Sequence, residues 1–190
     1  MATVTEYSNY EVRQIGVKPS GGEAYIVADC VGTFEDEMEV KVVTKNCRGV
    51  PRKVRPRGTG NGTITASLHM PVAIYKAMYA LERDDLEEGV LGYGENNLHQ
   101  SFSLVADVRD EDNNRKFLAY PNCIMQTGPN MNVENGADEV AEAEVEISVM
   151  PDENGYGKYE AFEGELTDET IKTTWMTDFT PELVAKTEMA

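Results

Sequence analysis

Histidine, cysteine and tryptophan are scarce in this chain, at two, three and one among 190 residues. His69 and His99 show no HExxH spacing, and no serine or cysteine sits in a nucleophile-elbow motif, so the common metal-hydrolase and triad arrangements are missing. Cys30, Cys47 and Cys123 are odd in number, widely spaced and without a CxxC pair. That pattern argues against a disulfide framework or zinc ribbon and for reduced, mostly buried thiols. No stretch approaches the ~18 apolar residues needed to cross a bilayer, and Met1 to Val12 has no basic start followed by an apolar run. The expectation is a soluble protein made in the cytoplasm, in which the sequon Asn61-Gly62-Thr63 is not used. Internal repeats and low-complexity tracts are also absent.

Basic residues are few and unevenly placed. The formal charge is −17, yet residues 1–70 hold nine Lys/Arg against eight Asp/Glu, a net of +1, and residues 71–190 hold eight against twenty-six, a net of −18. A surface with that excess of acid does not grip nucleic acid, because affinity there comes from replacing counterions with Lys and Arg. DNA passing close by is not excluded.

What is present is β-pattern. One domain is expected over 23–165, between an extended N-terminal arm (1–22) closing on the turn cluster Pro19-Ser20-Gly21-Gly22 and a C-terminal packing arm (166–190) carrying Trp175. Ala24 to Cys30 and Thr33 to Thr44 read as strands, the second with Met38, Val40 and Val42 opposite Glu35, Glu37, Glu39 and Lys41. The stretch 45–61 reads as a projecting loop or hairpin in a segment with no acid beyond Lys41: Lys45, Arg48, Arg52, Lys53, Arg55 and Arg57 are its bases. Pro51 and Pro56 speak against a long ladder there. Thr63 to Met70 alternates as a half-buried strand, and Ile74, Ala77, Met78 and Leu81 mark a helix over about 71–83. Ser101 to Arg109 and Arg115 to Met125 make a hairpin about the turn Asp110 to Asn114. Glu139 to Met150 is a strand with Val140, Val145, Ile147 and Val149 set against Glu142, Glu144, Glu146 and Ser148, and Asn154-Gly155 turns into a further strand from Tyr156 to Gly164.

Chemistry-bearing motifs fail on inspection. Gly58 to Gly62 precedes a strand instead of opening a helix, so it reads as a turn and not a phosphate cradle. Asp152, Asn154, Gly157 and Glu163 fall at calcium-loop spacing, but Tyr156 occupies a ligand position and the flanks are strands, which favours an acidic hairpin. Asp110, Asp112 and Asn114 fail sooner, since Arg115 replaces the glycine. Paired acids such as Glu142 and Glu144 lie on a regular strand face without a pocket to split their pKa values. No enzyme, cofactor or metal is expected. Tyr75, Tyr79 and Tyr93 are read as core or subunit contact.

The order of strand pair, basic loop, Arg55-Pro56-Arg57-Gly58-Thr59-Gly60-Asn61-Gly62-Thr63-Ile64-Thr65, Met70-Pro71 and a Tyr-containing helix resembles the major tail protein, or tail tube protein, of long-tailed phages of Gram-positive bacteria. Arg115-Lys116-Phe117-Leu118-Ala119-Tyr120-Pro121-Asn122-Cys123 and the Glu-rich strand after it add to the likeness, which covers about 23–164. The resemblance implies a mainly β protein, a β-sandwich or barrel of the tail-tube type with one flanking helix, shared with the type VI secretion tube protein. It implies hexameric rings stacked into a virion tail tube that conducts DNA, with the chain itself as main partner and the tape-measure, tail terminator and distal tail proteins as others. A long loop between early strands then reaches the next ring, a role for Lys45, Arg48, Arg52, Lys53, Arg55 and Arg57. Complementary charge along the stacking direction gives polarity. Glu35, Glu37, Glu39, Glu142, Glu144 and Glu146 are the candidate lumen lining, where carboxylates keep DNA from adhering. The competing readings are a tube carrying protein cargo in a secretion or contractile-injection system, and a monomeric β-sandwich module for a receptor or carbohydrate.

Overall fold

The computed structural model describes residues 6–48, 50–131, 133, 135–136 and 140–186. Its strands are β1 (Glu11–Pro19), β2 (Ile26–Ala28), β3 (Val31–Cys47), β4 (Val50–Leu68), β5 (Phe102–Arg109), β6 (Arg115–Met125), β7 (Ala143–Met150) and β8 (Tyr159–Phe162), with helices α1 (Val72–Met78) and α2 (Glu169–Asp178). All pairings are antiparallel, in the order β2-β1-β5-β6-β7-β4-β3, and β8 is added on β6. The protein is thus mainly β with flanking helices, as the strand-rich pattern requires.

Two apolar layers hold the sheet. On the inner face Ile15, Ile64, Leu68, Leu104, Tyr120, Ile147 and Val149 pack with Ile74 and Met78 of α1 into the main core. On the opposite face of β5 and β6, Val105, Phe117 and Ala119 meet Trp175, Met176 and Phe179. Strands buried on both faces lose polar alternation, which is why the run Leu104 to Val108 of β5 is apolar at all but one position. Asp107 is the exception, buried but ion-paired to Arg109 at 3.1 Å and Arg115 at 2.9 Å.

Several elements differ from the sequence expectation. The N-terminal stretch is not a free arm where it is described: Ile15 and Val17 are buried, β1 pairs with β2 and β5, and the Tyr7 ring sits edge-on to Phe162 at 5.0 Å. Only three residues, Ile15 to Val17, carry its core signal, too short a run to outweigh the turn cluster after it. The C-terminal segment packs on the sheet as expected, but as a second helix, α2. Helix α1 ends at Met78 instead of running to 83, because the chain turns through Ala80, which adopts a left-handed φ of 49°. Val140 lies before β7 and is 79% exposed; its even number puts it out of phase with Val145, Ile147 and Val149. Strand β8 joins β6 and not its chain neighbour β7. Cys123 is buried, where burial pushes its thiol pKa up, and Cys30 is exposed.

Candidate assembly surfaces

The basic segment is a hairpin arm built from the far halves of β3 and β4. Pairing continues from Val40 opposite Gly58 to Cys47 opposite Val50, and β7 covers β4 only over Gly62 to Leu68. The eight residues from Val40 to Cys47 carry it ~26 Å past the sheet at the usual rise per residue. Pro51 and Pro56 do not prevent this ladder, contrary to the sequence expectation, because the far half of β4 is an edge, where a missing N–H costs no pairing. Gly58 to Gly62 is not a turn either. Thr59, Gly60 and Asn61 bulge within β4 opposite Glu39, with Gly60 at φ +81° packed on Pro151.

Register sorts the arm into two faces. Lys41 stands opposite Arg57, Val43 opposite Arg55 and Lys45 opposite Lys53, all on one side. Val40, Val42, Thr44, Val54 and Pro56 share the other. Lys41, Lys45, Lys53, Arg55 and Arg57 are exposed and none makes an ion pair among the described residues. Like charges directly opposite each other weaken a hairpin. Val40, Val42 and Val54 are each between 57% and 59% exposed. Neither face is satisfied among the described residues. Arg48 lies in the turn with φ 53°, and Arg52 is skipped by the pairing between Lys53 and Pro51, its side chain outside the described residues.

The two acidic runs, distant in sequence, come together. Thr65 of β4 lies between Glu35 of β3 and Glu146 of β7, Ser67 between Thr33 and Glu144, and Thr63 between Glu37 and Ser148. Paired residues share a face, so Glu35, Glu37, Glu144 and Glu146 occupy one outer surface of β3-β4-β7 with hydroxyl residues between them. Glu142 rests over Gly32, where any Cβ would collide with its carboxylate, and Glu39 continues the row beside the bulge. None of the six makes an ion pair among the described residues. Separation by one strand of threonine and serine leaves ~10 Å between the two rows, about one screening length.

Elsewhere polar groups are committed to structure. Asp152 accepts from the backbone amides of Asn154 (2.9 Å) and Tyr156 (3.0 Å) and from the Tyr159 hydroxyl (2.6 Å). Burial raises its pKa, but those donors outweigh it and hold the carboxyl below its ordinary value. Asp110 accepts from Asp112 and Asn114 in the same way. His99 bridges the Met125 carbonyl and the Tyr93 hydroxyl, at 2.9 and 3.0 Å, and its ring stands edge-on to Tyr79. His69 donates its backbone N–H to Cys30. Among the described residues no group of three His, Cys, Asp or Glu side chains is arranged to hold a metal. No helix is long and apolar enough to cross a membrane among them. A groove of about 630 Å³ runs between β8 and the segment comprising α2 and the 3-10 turn Pro181–Val184, with Tyr156, Leu166, Ile171 and Val184 in its walls.

No family model matches the chain, and no curated protein matches it by sequence. A solved cryo-EM structure, the tube-terminating cap of the anti-feeding prophage, shares its fold with a TM-score of 0.50 at 11% identity, covering 85% of this chain and 96% of the cap. The six-fold symmetrised baseplate of the same particle superposes more loosely, with a TM-score of 0.41 at 8% identity over 76% of this chain and 92% of that one. The likeness to the cap is one of fold.

Proposed function

We propose that this chain is the repeating subunit of a phage-type tail tube, assembling by self-stacking into hexameric rings around a channel through which DNA passes unbound. The observation that carries this reading is the arm itself: a two-faced, ~26 Å ribbon whose like-charged cross-strand pairs meet no acids among the described residues of their own subunit. A neighbouring copy has them in excess, since residues 71–190 are net −18. Strand β3 adds a 17-residue edge with no strand paired to its other side among the described residues, a liability in a free monomer and a joint in a ring. In such a tube the six clustered carboxylates, Glu35, Glu37, Glu39, Glu142, Glu144 and Glu146, face the channel and repel the phosphate backbone. The tape-measure, tail terminator and distal tail proteins complete the particle.

The test is charge reversal on the arm. Lys53→Glu, Arg55→Glu and Arg57→Glu together leave a folded monomer by circular dichroism and abolish polymer in negative-stain micrographs. Tubes of wild-type length from that variant refute the proposal.

The shared fold with a tube-terminating cap favours one second reading, a ring that ends a tube instead of extending it. Single rings at every protein concentration, bound only to the end of a separate tube protein, mark that case.

A further inference from the structure

We infer that the groove beside β8 is the acceptor for the arm of a second copy, whose β3 strand lies along the free edge of β8 with Val40 and Val42 seated among Tyr156, Leu166, Ile171 and Val184. This rests on the self-assembly reading and names the surface at which assembly occurs.

Backbone, apolar surface and charge point to the same occupant. Among the described residues strand β8 is paired on one side only, to β6, and its Tyr159, Glu160 and Ala161 line the groove of about 630 Å³. The arm offers two edges of unequal character. Its β4 edge carries Pro51 and Pro56, which lack the N–H needed to pair, whereas its β3 edge from Val40 to Lys45 has no proline and is open along its length. An edge blunted on one side and bare on the other selects the β3 side for strand addition. On that side Val40 and Val42 present apolar side chains, both left more than half exposed by the described residues.

Charge complements this. Glu153, Glu165 and Glu182 each adjoin a groove-lining residue in sequence, are exposed, and make no ion pair among the described residues. Lys41 and Lys45 on the β3 side of the arm are equally unpaired. They leave the ribbon on the face opposite Val40 and Val42, and their long side chains reach acids at the groove rim. Donor and acceptor are different surfaces of one chain, and such a contact repeats head to tail into a ring or filament instead of closing as a dimer. Covering the arm's bases in this way also leaves the clustered carboxylates as the dominant charge on the exposed outer face.

The experiment places the photo-crosslinking residue p-benzoylphenylalanine at Val42 and irradiates assembled particles made from mixed isotope-labelled and unlabelled protein. Mixed-label crosslinked peptides between position 42 and residues 156–184 are the expected result. Particles that assemble yet crosslink position 42 only elsewhere, or not at all, overturn the groove assignment and leave self-assembly standing. Wild-type protein that never forms rings or tubes removes the self-assembly reading itself. As a second measure, Val184→Asp lowers the assembled fraction at least tenfold with an unchanged circular dichroism spectrum; wild-type assembly by that variant also overturns the assignment.

Discussion

Replacing Trp175 with alanine tests whether the C-terminal segment is part of the fold or an appendage to it. The indole is 1% exposed, stacks on Phe117 at 5.6 Å, meets Phe179 at 4.7 Å and donates from Nε1 to the Leu118 carbonyl at 3.1 Å. Large-to-small truncation of a buried aromatic costs about 3–5 kcal/mol through lost transfer energy and the cavity left behind. The hydrogen bond to β6 contributes about 1 kcal/mol of that. In a chain of this size each kcal/mol moves the midpoint by ~2–4 °C, so Trp175→Ala melts ~6–20 °C lower. The measurement is thermal and urea unfolding followed by far-ultraviolet circular dichroism, since the variant has no tryptophan left to fluoresce. Trp175→Phe keeps an aromatic ring beside Phe117 without the donor and recovers more than half of the loss. A change within the ~0.5 kcal/mol typical of surface substitutions would mean that α2 does not cover β5 and β6, and the two-layer description would be wrong.

The Asp152 turn and the Gly60 bulge give two further expectations. Because the folded pKa of Asp152 is depressed, its contribution to stability is present above the unfolded value near ~3.9 and is lost as pH falls through the folded one. Asp152→Asn therefore lowers stability at neutral pH and flattens the acid limb of the stability profile below about pH 4; parallel profiles for variant and wild type would contradict this. Gly60→Val places a β-branched side chain at φ +81° with its Cβ 2.9 Å from that of Pro151. The cost is about 2 kcal/mol or more by denaturant titration, whereas Gly58→Val, with open space around it, costs far less. Equal effects at the two positions would dismiss the bulge.

Legibility in the sequence followed the range of the forces involved. The β5–β6 hairpin was readable because alternation on both sides of Asp110 to Asn114 is local, and β7 because Val145, Ile147 and Val149 alternate with acids. Helix α2 was not, since Glu169 to Asp178 holds four threonines and only a narrow apolar stripe, and its stability comes from the sheet beneath it. The acidic runs at 35–39 and 142–146 were each visible. Their union on one surface depends on β4 lying between β3 and β7, a long-range pairing that no local pattern encodes. The bases read as a cluster, but their division from Val40, Val42 and Val54 needs the register. Asp107, with its two arginines, gave no signal beyond a lone acid in an apolar run.

Strand β3 shows why the subunit looks unfinished. Its even positions, Phe34, Asp36 and Met38, turn toward the interior of the protein, and the same phase continues through Val40 and Val42 after the interior has ended. Its odd positions change sign at the same place, from Glu35, Glu37 and Glu39 to Lys41 and Lys45. An arm meant only for solvent has no need to hold a two-residue period, and exposed valines in it are a hazard that a charged or polar choice avoids. A period kept from Phe34 to Val42, with the fold supplying a core only as far as Met38, fits a strand whose far half is buried elsewhere. The change of sign fits the same account, because Glu153, Glu165 and Glu182 beside the proposed acceptor groove would meet the arm's bases.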